Sequence, residues 1–383
     1  MSRDSSAHNQ PKIYAAEILE GIRRWVEIET PSHDGKAVNR LVDLVEGEMR
    51  ALGTVIDRSP GRDGFGETLK ARSPWGEGQA GILVLAHLDT VHPMGTLGDY
   101  PFKAEGDIAR GPGIYDMKGG GYLATYAYRH LLRLGRQTPL PITFLFVPDE
   151  EIGSDTARAI IEAEAKKNKF VLVCEPARDG GKIVTARKGA ARFTIKARGR
   201  PAHSGLRHQD GRSAVKEIAH QILALEAMTD YASGTTVSVG LVRGGTGVNV
   251  VPEHAAIEVD MRVADMASAE AMTARVLGLL PVGPDTTLDI SGGLNRPPYR
   301  KDAGIEKLFK HAQGLAKEIG FDLQDVPLTG GGSDGNFTAA LGIPTLDGLG
   351  VDGSGAHTLD EQVKISSLEP RTTLLLRLFE TLS

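Results

Sequence analysis

Gly81-Ile-Leu-Val-Leu-Ala-His87-Leu-Asp89-Thr90, followed downstream by Gly111-Pro-Gly-Ile-Tyr-Asp116-Met-Lys-Gly-Gly-Gly121, is the stretch from which the rest of the chain can be read. The run from Ile82 to Ala86 is apolar and of strand length, so it reads as a central strand buried on both faces. His87 and Asp89 sit two apart, and an extended chain puts both on one face. Asp116 lies between a Gly-Pro-Gly turn and three glycines, which lets the backbone turn sharply before a helix predicted over 122–134. One imidazole and two carboxylates converging at the mouth of a buried strand point to a metal ion.

Outward from that strand the periodicity alternates. Residues 1 to about 10 are expected to be frayed. Ile13, Ile18, Ile22 and Val26 recur at helical spacing, Thr30-Pro31 breaks the pattern, and a second helix carries Val38, Leu41, Val45 and Met49. Strands are predicted at 69–72, 142–147 and 171–176, with a helix over 156–167. Acids stand at or just past the strands' carboxyl ends: Glu150-Glu151 after the second, Glu175 near the end of the third. Open parallel α/β sheets place their sites there.

The pattern changes near Lys188. Strand 191–198, helix 211–228, strands 236–242 and 255–263, helix 268–280 and strand 287–291 give the order β-α-β-β-α-β, the ferredoxin-like arrangement. Beyond Pro297 the α/β alternation resumes, with helix 303–319, strand 323–328, a short helix from Asp334, strand 343–346 and a closing helix from Ser366. The predicted architecture is an α/β catalytic domain with a mostly parallel sheet (1–187 and 297–383), interrupted by an inserted ferredoxin-like α+β domain (188–296).

Composition sets the outer bounds. At 383 residues the chain exceeds one typical core. Its 44 Lys+Arg against 49 Asp+Glu leave a formal charge of -5, which favours neither nucleic acid nor an anionic membrane. One cysteine, Cys174, excludes an internal disulfide and fits a reducing compartment. It lies in an apolar strand and reads as core. The N-terminus lacks a signal-peptide apolar core and no run is long enough to span a bilayer, so a cytoplasmic protein is expected. There is no dinucleotide fingerprint, Walker-type loop or His-Glu-x-x-His helix.

Taken singly, the polar residues say little: a lone histidine after a strand is as a rule structural, and Glu150-Glu151 alone is a solvated pair. Their shared placement matters more. His87, Asp89, Asp116, Glu150, Glu151 and Glu175 all follow predicted strands, and His357 sits on the Gly-rich loop Gly-Ser-Gly-Ala-His357-Thr. Two zinc ions about 3.5 Å apart need a bridging carboxylate and two further protein ligands each, a count that one bridge, two histidines and two acids satisfy. His, Asp and Glu also accept cobalt or manganese.

The motifs His87-Leu-Asp89-Thr, Tyr-Asp116-Met-Lys-Gly-Gly, Asp-Glu150-Glu151-Ile-Gly-Ser, Glu175-Pro, Ala-His203-Ser-Gly, Val-Asn249-Val-Val-Pro, Thr-Gly-Gly-Gly332-Ser333-Asp and Gly-Ala-His357 stand in one order across nearly the whole chain. In them the chain resembles the di-zinc metallopeptidase family that includes glutamate carboxypeptidase, aminoacylase and succinyl-diaminopimelate desuccinylase. The resemblance implies that Asp116 bridges two zinc ions, with His87 and Glu175 completing one and Glu151 and His357 the other. It implies that Glu150 is the general base, taking a proton from the attacking water and returning it to the leaving amine. Asp89 is then the partner of the far nitrogen of His87. His203 stabilises the oxyanion, usually across a dimer through an inserted lid and dimerisation domain, so a homodimer is expected.

Specificity follows the same resemblance. Arg296, in Asn-Arg296-Pro-Pro-Tyr, matches the segment that holds the substrate's carboxylate, for which a guanidinium suits a bidentate pair. Asn249, Gly332 and Ser333 are expected to add polar contacts. Arg262 either approaches the site or pairs with Asp260 or Glu258, and Lys182, Arg187, Lys188 and Arg192 read as a basic cluster near the domain junction, most of it a solvated hinge surface, with one member able to meet a side-chain carboxylate of glutamate or aspartate. The expected activity is release of an amino acid, preferably acidic, from a peptide or N-acyl amide. An N-acyl-amino-acid deacylase or desuccinylase, a dipeptidase and a non-catalytic metal-binding scaffold are the rival readings.

Overall fold

The computed structural model describes residues 12–383; the fraying expected at residues 1 to about 10 falls outside them. The described chain divides into two compact units. One holds the residues up to Thr185 together with Lys301–Pro327 and Ser333–Ser383, and the other holds Ala186–Arg300 and Leu328–Gly332.

The first unit is built on a six-stranded sheet. Strand Gly81–His87 lies inside it, parallel to Ile142–Val147 on one side and to Asn168–Val173 on the other. Thr345–Leu346 extends the parallel set, while Thr68–Arg72 and Val55–Ser59 close the opposite edge antiparallel. Every residue of Gly81–His87 and Ile142–Val147 is buried, as expected of strands covered on both faces. Helix Gly119–Arg133 starts directly after the Asp116 turn and packs against Leu368–Thr381, which in turn contacts Ala303–Ile319. An aromatic group welds the opening helix Ala15–Val26 to this layer, with Trp25 edge-on to Tyr122 at 5.3 Å and to Phe146 at 6.1 Å.

A second, small sheet of the same unit has no counterpart in the sequence reading. Gly353–Ser354 and Gln362–Lys364 form a hairpin that pairs with Ile108–Arg110, itself paired with Lys103–Glu105. Strands this short carry no readable period, and their pairing joins segments far apart in the chain.

The second unit is an antiparallel four-stranded sheet. Counting its strands along the chain, Gly189–Arg198, Thr236–Gly244, His254–Val263 and Thr287–Arg296, their order across the sheet is 2-3-1-4, the ferredoxin-like order. Alternate residues Ala191, Phe193, Ile195 and Ala197 enter a core with Ile218 and Leu225 of helix Ala214–Glu226 and Met272 and Val276 of helix Met266–Leu277. Ser213 caps the first helix by accepting from the Lys216 N–H.

The basic surface expected at 182–192 needs correction. Arg187 is fully buried, and its Nη1 donates to the carbonyls of Gly331 at 3.0 Å and Gly332 at 3.3 Å. Ile183-Val-Thr-Ala186 before it is a buried run, so the guanidinium is carried inside, where Nη1 meets these carbonyls. Arg262 grips Asp260 through Nε at 2.7 Å and Nη2 at 2.8 Å, which is the structural reading of that residue. Among the described residues no helix is long and apolar enough to cross a membrane.

Candidate metal centre

Three adjacent parallel strands deliver the cluster. His87 ends the central strand, Glu150 and Glu151 form a short turn past Ile142–Val147, and Glu175 follows Asn168–Val173 by two residues. Asp116 comes from the turn Ile114–Lys118, whose Asp116–Met117 peptide is cis, and His357 from the hairpin loop between Gly353–Ser354 and Gln362–Lys364.

The arrangement of the cluster turns on Asp116. Its Oδ1 lies 3.2 Å from His87 Nε2, and its Oδ2 lies 3.4 Å from His357 Nε2. His87 Nε2 is also 3.8 Å from Glu175 Oε1, while His357 Nε2 is 3.0 Å from Glu151 Oε2. One carboxylate thus faces two His–Glu pairs, one from each oxygen. The ligand-type atoms of His87, Glu150 and Glu175 lie within 4.8 Å of one another, and so do those of His87, Asp116 and Glu151. A carboxylate oxygen of Glu150 therefore lies within 4.8 Å of ligand-type atoms of His87 and Glu175.

The remaining nitrogen of His87 is fixed. Nδ1 is 2.9 Å from the Asp89 carbonyl oxygen and 3.4 Å from its Oδ1, so Nδ1 carries the proton and Nε2 faces the acids. The Asp89 carboxylate, fully buried, accepts from the N–H groups of Glu150 at 3.1 Å and Glu151 at 3.2 Å, and from Ser32 Oγ at 2.7 Å. Asp89 thus orients an imidazole and the Glu150-Glu151 turn together. Ser32 has no signal in the sequence beyond its place after a helix break.

The donor set suits a cation. Glu151 Oε1 is buried without a hydrogen-bond partner among the described residues, an open lone pair on a carboxylate whose other oxygen faces His357. Burial disfavours charge on His87, yet Asp116 and Asp89 beside it raise its pKa well above the ordinary imidazole value. Asp116 and Glu151 raise His357 to about 10. Burial pushes Asp116 up, but His357 and His87 hold it well below the usual carboxylate range; Glu151 is raised by burial, against the pull of His357. Acids that draw positive charge onto both imidazoles form a place where a divalent cation can stand in for protons.

Further buried side chains lie in and beside the segments that carry this group. Lys118 Nζ donates to the Ile28 carbonyl at 2.7 Å, and burial brings its ammonium down to about 7 against the pull of Glu361, Glu29 and Asp89. Glu361, 2% exposed, bonds to the Asp116 turn and to His92. Cys174 is buried and burial raises its thiol far above the ordinary value, in keeping with a core residue.

The second unit carries His203, Asn249, Arg296 and Gly332. His203 is exposed, and its Nδ1 accepts from the N–H groups of Gly205 and Leu206 at 3.2 and 3.3 Å, which leaves the proton on Nε2 as a donor. Asn249 is exposed beside it, its carbonyl accepting from the Ser204 N–H. Arg296 is buried, and a Cβ on Gly332 would lie 2.6 Å from its Cδ, so those two residues do come together. Ser333, in the first unit, is fully buried, its hydroxyl donating to Asp347 and accepting from the Gly335 N–H, which ties it into its own loop.

Comparison with known proteins supplies the family context. The sequence profile of peptidase family M20/M25/M40 matches residues 83–381. Carboxypeptidase G2 of Pseudomonas sp. (strain RS-16) is 30% identical over 366 residues, covering 94% of this chain and 88% of that protein. Succinyl-diaminopimelate desuccinylase of Paracidovorax citrulli is 27% identical, covering 89% and 92%. An M20 family metallo-carboxypeptidase from Sulfolobus solfataricus superposes with a TM-score of 0.75 at 18% identity, covering 96% of this chain and 100% of that one, a likeness of fold.

Proposed function

Because the chain belongs to peptidase family M20/M25/M40, a family of hydrolases, we propose that it is a two-zinc metallo-carboxypeptidase that cleaves an amide bond and releases an amino acid, preferably an acidic one. The observation that carries this reading is Asp116 between two His–Glu pairs, one facing each of its oxygens.

In this reading His87 and Glu175 hold one ion, Glu151 and His357 the other, and Asp116 both. Bound zinc supplies Lewis acidity toward the attacking water and the scissile carbonyl. Glu150 takes the proton of that water and returns it to the leaving nitrogen. Its backbone N–H on Asp89 keeps the turn in place while its carboxylate changes protonation state. Asp89 keeps Nε2 of His87 directed at the acids. His203, from a second copy in a homodimer, donates its Nε2–H to the developing oxyanion, a role that its Nδ1 hydrogen bonds support. Arg296 pairs with the substrate's carboxylate, with Asn249 and Gly332 adding polar contacts. The single buried cysteine suits a reducing cytoplasm.

The test is product analysis by mass spectrometry with a panel of peptidyl and N-acyl amino acids, using zinc-loaded protein, a chelated control and Glu150→Gln. Chelator-sensitive release of glutamate or aspartate is expected, with Glu150→Gln keeping its zinc and losing about 10²–10⁴-fold in turnover. Release restricted to N-succinyl or other N-acyl substrates would move the reading to the deacylases. No release from any substrate by zinc-bearing protein would leave a metal-binding scaffold.

A further inference from the structure

The geometry points to Glu361, braced by His92, as the positioning residue that sets the Asp116 and His357 loops for metal. This rests on the reading of Asp116 and His357 as ligands.

Glu361 accepts four hydrogen bonds. Its Oε1 takes the N–H groups of Tyr115 and Asp116, both at 2.8 Å, and its Oε2 takes the Gly113 N–H at 2.8 Å and His92 Nε2 at 2.8 Å. A carboxylate so filled has no lone pair left for a metal ion. It serves the acids in front of it instead. The N–H of Asp116 is held directly, so the carboxylate of Asp116 leaves a fixed backbone. Glu361 also closes the hairpin loop that carries His357, four residues earlier, where Gly355 and His357 both have positive φ. His92 belongs to the loop that follows His87 and Asp89. One buried side chain therefore ties together the three loops that present His87, Asp116 and His357.

The chain uses this tie where regular structure is thin. The Asp116 turn is an irregular five-residue segment, and the hairpin strands are two and three residues long. Neither supplies a rigid ladder at the ligands. Partners of this kind typically change metal affinity about 10- to 100-fold when they are removed.

The experiment compares the full-length wild type with Glu361→Ala, Glu361→Gln and a core control, Leu315→Ala, in helix Ala303–Ile319, which carries no ligand. Zinc affinity is read by chelator competition, and hydrogen exchange of the segment 111–118 is read by mass spectrometry on metal-free protein. Glu361→Ala is expected to bind zinc about 10- to 100-fold more weakly and to exchange faster across 113–117. Glu361→Gln keeps Oε1 for Tyr115 and Asp116 but replaces the Oε2 acceptor of the Gly113 N–H and His92 with an amide NH2, and is expected to bind zinc more weakly than wild type and more tightly than Glu361→Ala. Leu315→Ala lowers thermal stability without moving either readout. Should Glu361→Ala not fold, His92→Ala is read instead, with faster exchange of 111–118 expected. Wild-type zinc affinity in Glu361→Ala, unchanged exchange in both variants, or an equal loss in Leu315→Ala overturns the inference. A wild type that binds no zinc overturns the ligand reading beneath it, and a wild type that binds zinc while Glu361→Ala binds it equally well overturns this inference alone.

Discussion

Replacing Asp89 by alanine tests whether one buried carboxylate organises the centre even without metal. Its side chain accepts two backbone N–H groups, those of Glu150 and Glu151, and the hydroxyl of Ser32. Ser32 Oγ can turn to the Thr90 carbonyl, already 3.4 Å away, so its loss counts for little. The two N–H groups cannot follow, because their turn is closed by the Gly153 N–H on the Glu150 carbonyl. Two stranded N–H groups cost roughly 1–3 kcal/mol each. Removing a negative charge from among Asp116, Glu150 and Glu151 gives some of that back, and the net loss comes to about 2–4 kcal/mol. Both tryptophans, Trp25 and Trp75, belong to the first unit, so their fluorescence during urea denaturation of chelated protein reads that unit alone. Asp89→Asn, which keeps one acceptor oxygen, should fall about midway. An Asp89→Ala transition within about 0.5 kcal/mol of the wild type, the range of an ordinary surface change, would refute the assignment of those hydrogen bonds.

Two further outcomes follow from contacts away from the reacting groups. A methyl on Gly120 would lie 1.9 Å from the Cys174 carbonyl oxygen and 3.0 Å from the Gly350 Cα, both backbone atoms that cannot step aside. Gly120→Ala should cost about 1–3 kcal/mol or more as overpacking and, by shifting the residue before Glu175, lower the zinc content; a wild-type melting point and zinc content would contradict this. In the second unit, burial pushes Glu217 up, but Gln221, the N–H groups of Val282 and Gly283, and Thr286 hold its pKa below the ordinary value. A depressed folded-state pKa stabilises above the unfolded value of about 4.3, and that stability is lost as pH falls through the folded one. Glu217→Gln should therefore be less stable than wild type at pH 7, with the gap closing below about pH 4, as followed by circular dichroism during urea denaturation. A gap of constant size across that range would remove the carboxylate from the account.

The site is most legible where chemistry rides on regular structure. His87, Glu150, Glu151 and Glu175 follow apolar runs whose burial is written in their composition, so their arrival at one sheet edge can be read from the residues alone. The ferredoxin-like order of the second unit is legible for the same reason, since strands such as Gly189–Arg198 alternate in burial with period two. Boundaries are less so: the third buried strand runs Asn168–Val173 rather than 171–176, because the pairing with Gly81–Leu85 sets its start. The Val55–Ser59 edge strand, half exposed and polar, carries no signal.

What stays hidden is the set of polar residues whose burial is decided by partners distant in sequence. Glu361 follows Thr358-Leu-Asp360 in a Gly-rich loop and belongs to none of the motifs quoted above, yet it is buried against the N–H group of Asp116, 245 residues earlier. Arg187 reads as part of a basic surface, yet it is buried, with Nη1 on the carbonyls of the 331–332 loop. In both cases the residue type argues for solvent, and only the satisfaction of every donor and acceptor argues otherwise. Such residues concentrate behind functional groups for a physical reason. A ligand carboxylate that must keep its open oxygens toward a cation cannot also anchor its own backbone, so the anchoring falls to a neighbour that is itself fully bonded. In the proposed ligand assignment, Glu361 behind Asp116 and Asp89 behind the Glu150-Glu151 turn are two instances of that division of labour.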